Sequence, residues 1–278
     1  MRPPVSSARF TLFCCPVCNR DLALTDRRLT CANGHSFDLA KSGYVNLARP
    51  RKRAPAAGGD TRPQFEARAR FLAKGHFDFI AETIAAHAGE SSAILDVGCG
   101  TGFHLAGVVE RLATPSGTGI DLSKDAAAWC ARHHPEMTFA VADIWHRWPI
   151  RGGSIDLVMS IFAPKNFGEM ARVLRPSGML ALAFPGEGHL QELRRALNLL
   201  GLPADKASAY AARMADSFSA PVQQRVVRRI ALQRSDIEDA IMMGPNARHL
   251  TSLERNRVPR SMVATVDVAF LFARRAST

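Results

Sequence analysis

The sequence lacks any apolar stretch long enough to cross a membrane. Its longest apolar runs, such as residues 178–185, are far shorter than the roughly 20 residues that a bilayer-spanning helix needs. The first residues also lack the apolar core and small-residue cleavage site of a secretory signal. We therefore expect a cytoplasmic protein without a membrane partner, in which the cysteines stay reduced and form no structural disulfides.

Acidic residues are scarce relative to basic ones. The 278 residues include 25 Asp and Glu against 36 Lys and Arg, which gives a formal net charge of +11. Such an excess favours a polyanionic partner, chiefly nucleic acid, although a charge that only maintains solubility is the alternative. Hydrophobic residues make up 47% of the chain, which is enough for a sizeable core and argues against wholesale disorder.

Few cysteines lie outside the first 31 residues, and those within them have the spacing of a zinc site. Cys15 and Cys18 are followed by Cys31 and His35 in the pattern C-x2-C-x12-C-x3-H. Two tight turns with this spacing supply the four sulfur and nitrogen ligands of tetrahedral zinc. All four positions are filled, so the pattern predicts a structural Zn²⁺ site rather than scattered buried cysteines. Cys14 is a competing ligand, but Cys15 gives the two-residue gap.

The chain shows no internal repeat, and it divides into three predicted segments. Residues 1–48 form a small zinc-binding domain that needs the metal to fold. Residues 49–62 are basic and then rich in Pro, Ala and Gly without periodicity, which predicts a flexible linker. Residues 63–278 form the large domain.

Strands and helices alternate in the large domain, which predicts a doubly wound, mostly parallel sheet covered by helices on both faces. Seven strands are predicted, at residues 93–97, 118–122, 138–142, 155–160, 179–184, 223–232 and 262–272. The main helical patterns cover residues 64–87, 103–112, 123–133 and 166–174, with Ser123 as an N-cap.

A glycine-rich turn follows the first strand of the large domain. Gly98, Gly100 and Gly102, with Thr101 between the last two, open the helix at residues 103–112. Glycine permits positive φ and lets a ligand approach the backbone closely. The turn alone is weak evidence, because dinucleotide-binding folds carry a related one.

Three acids point to S-adenosylmethionine as the ligand of this turn. Asp96, Asp121 and Asp143 end three successive strands, where ligands of such sheets bind. We expect Asp96 to meet the ammonium group of a methionine moiety, Asp121 to accept bonds from ribose hydroxyls, and Asp143 to read an adenine amino group. Helix capping by loop aspartates is the alternative. Cys99 and Cys130 are interpreted as packing residues.

These motifs resemble the class I (Rossmann-like) S-adenosylmethionine-dependent methyltransferases, and the zinc module narrows the resemblance to the bacterial 23S rRNA guanine-N1 methyltransferases. The segments that carry this resemblance span nearly the whole chain, at residues 35–38, 41–47, 59–60, 67–68, 75–77, 161–164 and 185–190. The resemblance implies an α/β fold with a seven-stranded, mostly parallel sheet and a small amino-terminal zinc-binding domain that recognises RNA. It further implies methylation of guanine N1 in a hairpin loop of 23S rRNA, and a homodimer.

One branch of that family confers resistance to tylosin-like macrolides. Residues 143–145, and the Phe-Ala-Pro segment followed by Asn166, are closer to this branch than to the housekeeping one. The sequence itself does not decide whether the protein confers drug resistance.

The resemblance also implies a set of residues around the cofactor. Carried over by position, they are Phe77, Gly100, Thr101, Asp121 and His189. Relatives can have tyrosine where this chain has Phe77, so a hydroxyl contact is lost while the stacking surface stays. On a purely structural interpretation, His189 is a histidine at the start of a helix.

Removal of the guanine N1 proton calls for a general base near the end of the fourth strand. Residues 160–166 there contain no carboxylate, and no Asn/Asp-Pro-Pro-aromatic motif of the kind that binds exocyclic amines. This absence argues for a ring-nitrogen target. Phe162 is a candidate to stack on an extruded base. The base itself is not identified, and His104 is only a positional guess.

Basic residues outside the zinc module are candidates for phosphate contact. They are Arg49, Arg51, Lys52 and Arg53 in the linker, and Arg225, Arg228 and Arg229 near the end of the chain. The helical stretch 191–215 is either a dimer interface or core packing. Two rival functions stay open, a small-molecule methyltransferase and a non-catalytic RNA-binding protein with a vestigial cofactor fold.

Overall fold

The fold is built around one large mixed sheet, preceded by a small antiparallel sheet. The computed structural model describes residues 7–49, 61–112, 116–199, 201, 205–244 and 258–276. The strands within these ranges are β1 (Leu22–Thr25), β2 (Arg28–Cys31), β3 (Ser36–Asp38), β4 (Val45–Asn46), β5 (Ala93–Val97), β6 (Ser116–Asp121), β7 (Thr138–Val141), β8 (Ile155–Ile161), β9 (Leu174–Pro185), β10 (Val222–Gln233) and β11 (Ser261–Arg274).

Helices cover the large sheet and connect its strands. After a short 3-10 helix at Ser7–Phe10, they are α1 (Arg62–Leu72), α2 (Asp78–Ala88), α3 (Phe103–Leu112), α4 (Lys124–His133), α5 (Phe167–Val173), α6 (Gln191–Ala196), α7 (Lys206–Met214) and α8 (Arg234–Met242). No helix in the described part of the chain is long and apolar enough to cross a membrane.

The large sheet has the order β10-β11-β9-β8-β5-β6-β7-β4. The six strands from β9 to β4 run parallel, and β11 and β10 are antiparallel additions at the other edge. Strands β5 and β7 are buried at every position, as parallel strands covered on both faces must be. All seven predicted strands are present.

The predicted strand number is too low by one, because the described sheet has eight strands. The additional strand is β4, whose Val45 and Asn46 pair with Ala140 and Val141 of β7. Two residues are too few to show a strand period, and the sequence places this segment in the predicted zinc-binding domain. The amino-terminal module therefore extends the large sheet at its edge, and the domain boundary at residue 48 stays a prediction.

The single helical pattern at residues 64–87 is in fact two helices. Helix α1 ends at Leu72 and α2 begins at Asp78, and between them Gly75 has a φ of +77°. That left-handed conformation suits glycine and ends the first helix. The break places Phe77 at the N-cap of α2. The Ser123 N-cap of α4 is confirmed, since its side chain accepts a hydrogen bond from the Ala126 amide.

The small sheet β1-β2-β3 packs directly against the large domain. The Cys14 amide donates to the Pro149 carbonyl at 3.0 Å, and the Arg151 amide donates to the Leu12 carbonyl at 2.8 Å. Phe13, buried completely, belongs to the same apolar cluster as residues beneath the large sheet. The amino-terminal module thus shares a core with the domain that follows it.

Candidate functional site

Four side chains of the amino-terminal module converge as a metal site requires. Ligand atoms of Cys15, Cys18, Cys31 and His35 all lie within 4.8 Å of one another. The Cys18 and Cys31 sulfurs are 3.6 Å apart, and His35 Nδ1 lies 3.6 Å from the Cys15 sulfur and 3.4 Å from that of Cys31. A zinc tetrahedron with bonds of roughly 2.0–2.3 Å has edges of about 3.5–3.8 Å. The four side chains therefore fit Zn²⁺.

Two tight turns bring these ligands together. In the first, Asn19 has a φ of +61° and its amide donates to the Cys15 carbonyl at 2.8 Å. In the second, Gly34 has a φ of +81° and its amide donates to the Cys31 carbonyl at 2.9 Å. Cys14 is buried outside this group, and burial raises the pKa of its thiol. The competition between Cys14 and Cys15 is thereby decided for Cys15.

A cavity of about 510 Å³ opens at the carboxyl ends of β5, β8 and β9. Its size lies within the range of small-molecule sites. Six of the nine predicted cofactor residues line it, namely Phe77, Asp96, Gly98, Gly100, Thr101 and His189.

The glycine turn forms one side of the cavity and is held in place by contacts on the side away from the cavity. Gly98 has a φ of +73°, and a Cβ there would lie 2.7 Å from the Ala163 Cβ. The Gly100 amide donates to Asp121 Oδ2 at 2.9 Å, and the Ser123 amide donates to Oδ1 of the same carboxylate at 2.8 Å. Asp121 thus holds the turn to the start of α4, although it is not among the residues that line the cavity.

The two other predicted residues that do not line the cavity have structural contacts. Gly102, with a φ of +75°, packs where a Cβ would lie 3.1 Å from the Cys130 sulfur. The Asp143 carboxylate accepts hydrogen bonds from the Trp145 amide at 3.1 Å and from His146 Nδ1 at 2.6 Å. The role of Asp143 in reading adenine stays a prediction.

Asp96 has the environment of a ligand-binding carboxylate. It is buried, and in the described part of the chain its Oδ1 has no hydrogen-bond partner. Burial, helped by the negative charge of Asp121 and opposed by Lys165, raises the pKa of Asp96 to about 7. Because buried polar atoms are almost always paired, this oxygen calls for a donor from a ligand. An ammonium group such as that of S-adenosylmethionine fits it.

Three rings form an uncharged side of the cavity. The ring centroids of Phe77 and Phe162 are 5.9 Å apart, and that of His189 lies 5.9 Å from the first and 5.7 Å from the second. Burial lowers the pKa of His189 to about 4, so the imidazole is neutral near pH 7. Phe162 has a φ of +52° and is 38% exposed. The strained backbone holds this ring at the cavity mouth.

An ion pair between the exposed Arg225 and the buried Asp267 fixes the loop that carries His189. Asp267 is fully buried and accepts hydrogen bonds from Arg225 at 2.8 and 2.7 Å and from the Gly188 amide at 2.8 Å. The Asp267 carbonyl accepts a bond from His189 Nδ1 at 3.0 Å. A Cβ added at Gly186 would clash with Oδ1 of the same carboxylate, so a larger residue at this position would force the Asp267 side chain or the loop to move. Arg225, expected to contact phosphate, has its guanidinium bound to Asp267, because the buried carboxylate needs a counter-charge.

Sequence reasoning missed several residues that line the cavity. Arg68, Lys165 and Tyr210 belong to it, and Tyr210 comes from the stretch 191–215. That stretch also supplies Leu193 and Lys206 to the lining, which favours the packing alternative over a dimer interface. A lysine directly after the Phe-Ala-Pro segment was the available signal for Lys165. His104 lines the cavity too, but burial lowers its pKa to about 3, which makes it a weak base.

We expect Asp96→Asn to change how stability depends on pH. The carboxyl has a pKa of about 7 in the folded chain and roughly 3.9 when unfolded. Between these values the folded state retains a proton that the unfolded state has lost, so the free energy of unfolding falls as pH rises and levels off above about 7. From pH 6 to pH 7 the wild type should lose about 1 kcal/mol relative to the variant.

Denaturant unfolding at pH 6, 7 and 8 without cofactor measures this difference. The range avoids acid release of the metal from its cysteine ligands. Parallel curves for the two proteins would show that Asp96 is ionised throughout.

Fold, glycine turn and cavity together define a class I S-adenosylmethionine-dependent methyltransferase that carries a structural zinc ribbon. Two family models match, one described as the amino-terminal part of RlmA over residues 13–50 and a methyltransferase domain over residues 94–178. The YcgJ protein of Bacillus subtilis has a similar fold, with a TM-score of 0.52 and 14% identity over 72% of this chain and 99% of its own.

Relatives that are similar over most of the chain narrow this class of methyltransferases to one family. A 23S rRNA (guanine(748)-N(1))-methyltransferase of Streptomyces fradiae is 37% identical over 94% of this chain and 95% of its own. Two provisionally named 23S rRNA (guanine-N(1)-)-methyltransferases follow. That of Micromonospora griseorubida is 37% identical over 84% of this chain and 86% of its own, and YxjB of Bacillus subtilis is 38% identical over 68% and 69%. The chain belongs to the 23S rRNA (guanine-N1)-methyltransferase family. The predicted enzyme class and both predicted cofactors, S-adenosylmethionine and Zn²⁺, are confirmed.

Proposed function

We propose that the protein methylates N1 of a guanine in a hairpin loop of 23S rRNA, at the position equivalent to guanine 748. The observation that carries the proposal is the 37% identity, over 94% of the chain, to the Streptomyces fradiae enzyme named for that nucleotide. The ring-nitrogen target is supported by the end of β8, which has no carboxylate and no Asn/Asp-Pro-Pro-aromatic motif of the kind that binds an exocyclic amine.

The chemistry of the site is that of a positioning enzyme. When bound, S-adenosylmethionine supplies a methyl group activated by its sulfonium. We assign its binding to Asp96, Asp121 and the glycine turn. The uncharged rings of Phe77 and His189 exclude water from the reacting atoms, which favours a displacement between correctly placed groups. Phe162, exposed at the cavity mouth, is placed to stack on a guanine extruded from the RNA.

The zinc ribbon and the start of the linker form one side of the proposed RNA cleft. Arg49 donates hydrogen bonds to the carbonyls of Pro16, at 2.5 Å, and Val17, at 3.4 Å. These bonds hold the first residue of the linker against the first zinc turn. Residues 50–60, which include the other linker basics, lie outside the described residues. We keep residues 1–48 as an RNA-recognition domain, 49–62 as a flexible basic linker and 63–278 as the methyltransferase domain.

Exposed side chains near opposite edges of the large sheet suit contact with nucleic acid. Trp145 is 60% exposed, next to Arg147, whose side chain donates to Asn19 of the ribbon at 2.9 Å. Arg228 and Arg229 are exposed on β10. An exposed tryptophan offers a stacking surface and arginines offer phosphate contacts.

Three further features belong to the proposal. The reaction takes place in the cytoplasm, methylation protects the ribosome against tylosin-like macrolides, and the enzyme acts as a homodimer. The tylosin sensitivity of a strain that expresses the protein, compared with that of a strain that expresses the Asp121→Ala variant, tests the protection. Sedimentation of the purified protein tests the dimer.

A transfer assay tests the proposed activity. Purified protein is incubated with labelled S-adenosylmethionine and 23S rRNA that lacks natural methylations, and the product is mapped by primer extension. We expect a stop at one loop guanine, because a methyl group on N1 blocks base pairing, and no stop when that guanine is changed to adenine. Absence of label in naked RNA and in assembled subunits, with cofactor binding intact, would favour a small-molecule methyltransferase.

A further inference from the structure

Lys165 places a buried amino group inside the active-site cavity. The residue is 3% exposed and lines the cavity just after the end of β8. Its Nζ donates hydrogen bonds to the Ala163 carbonyl at 2.5 Å and the Ser160 carbonyl at 3.4 Å, and lies 5.7 Å from the centre of the Tyr210 ring. These contacts hold the amino group on the same short segment that presents Phe162 at the mouth.

The surroundings of this amino group disfavour its charged form. Lys206 and Tyr210 on α7 line the same cavity, and Arg213 of that helix donates to the Lys165 carbonyl at 3.5 Å. Asp96 on β5 is the carboxylate that faces it. Burial, with a contribution from Lys206, lowers the pKa of Lys165 to about 7 against the attraction of Asp96. A large share of the side chain is therefore a neutral amine near physiological pH, with a lone pair available to accept a proton.

Other titratable groups of the described cavity are less suited to take a proton from the substrate. The pKa values of His104 and His189 are lowered to about 3 and about 4, mainly by burial, so both rings are weak bases. The pKa of Asp96 is raised to about 7, but this carboxylate lies at the end of β5 beside the glycine turn, where it is assigned to the ammonium group of the cofactor. The segment at the end of β8, where the target base is expected, offers Lys165 instead of a carboxylate.

We propose that Lys165 is the general base that removes the N1 proton of the target guanine. The inference rests on the proposed methylation of guanine N1. In the step, a bond forms between N1 and the methyl carbon while the carbon–sulfur bond of the sulfonium breaks, and its electron pair stays on sulfur. The N1 proton passes to the Lys165 amine, which becomes an ammonium and later releases that proton to solvent. No other reactant is required.

Lys165→Ala tests the inference, with Lys165→Met as the variant that retains most of the side-chain volume. Lys124→Ala, at an exposed lysine of α4, is the matched control. We expect the single-turnover rate on saturating rRNA to fall by roughly 100- to 10,000-fold in both Lys165 variants, the range for loss of a general base. The dissociation constant of S-adenosylhomocysteine, measured by calorimetry, should change by less than about 3-fold.

Two further readouts separate a base from a merely structural lysine. Small primary amines added to the Lys165→Ala variant should restore part of the rate, and the restored rate should rise with the pKa of the amine. In wild-type protein labelled at lysine Cε with carbon-13, the chain's six lysines give few signals. The signal missing from Lys165→Ala should titrate well below the ordinary lysine range.

The outcomes distinguish this inference from the proposed function. A wild-type protein that never methylates guanine N1 overturns both. A wild type that gives the primer-extension stop, together with Lys165 variants of normal rate, overturns the inference alone. So does a variant with weakened cofactor binding and a normal rate at saturating cofactor, since Lys165 would then hold the cofactor. Amine rescue together with unchanged cofactor binding supports it.

Discussion

Replacing Cys31 by alanine is expected to remove the bound zinc and to unfold the ribbon, while replacing Cys14 leaves both in place. Cys31 is one of the four clustered ligands, and Cys14 is a buried neighbour outside the cluster. Structural zinc in isolated fingers contributes about 10–16 kcal/mol of apparent binding free energy. A three-ligand site retains little of this, so the ribbon loses its main source of stability.

Loss of the ribbon should also destabilise the methyltransferase domain. Phe13 and Leu29 of the ribbon share an apolar cluster with Trp148 and Ile150 of the large domain. Opening that cluster exposes buried side chains on both sides, and we expect Tm to fall by roughly 10 °C or more. Cys14→Ala should lower stability by only about 1 kcal/mol, as for an ordinary buried substitution.

Metal analysis and thermal unfolding of the two variants measure the difference. One zinc per chain in the wild type and in Cys14→Ala, with little zinc in Cys31→Ala, is the expected pattern. Equal zinc loss in both variants would mean that the two adjacent cysteines share the site.

Replacing Gly98 by alanine should weaken cofactor binding by roughly 100-fold or more, which corresponds to about 3 kcal/mol. The φ of +73° is unfavourable for alanine, and the added Cβ would lie 2.7 Å from that of Ala163, well inside normal carbon contact. The glycine turn and Ala163 must therefore move apart, and both line the cavity.

Gly153→Ala is the matched control for backbone strain. Gly153 also has a positive φ, +63°, but a Cβ there meets nothing within 4 Å. We expect a similar strain effect on stability with no change in cofactor affinity. Calorimetric titration with S-adenosylhomocysteine separates the two variants. If Gly98→Ala binds as tightly as the wild type, the turn adapts and its glycine is not needed for the ligand.

Local patterns in the sequence predicted the parts of the structure that depend on local chemistry. Strand β5 and helix α3 begin and end where the patterns placed them, and the zinc spacing identified all four clustered ligands. In each case neighbouring residues carry the information, as an apolar run, a turn or a fixed gap between ligands.

The parts that sequence reasoning missed depend on contacts between distant segments. Strand β4 is only two residues long and exists because β7 offers a free edge. The ion pair between Arg225 and Asp267 joins β10 to β11 and is invisible in either segment alone. Lys165 follows the Phe-Ala-Pro segment in the sequence, but it lines a cavity to which α7 also contributes, and no local pattern gives the position of α7.

The pairing of β4 with β7 also has a consequence for the proposed recognition of RNA. Because this strand ties the zinc ribbon to the edge of the catalytic sheet, the spacing between the ribbon and the cavity is constant. In the proposed function, where the ribbon recognises RNA, the distance between the RNA-binding surface and the cavity would then be set by the protein. A hairpin would be a substrate when the length from its bound stem to its loop guanine matches that distance, and the RNA would make any adjustment needed for a fit.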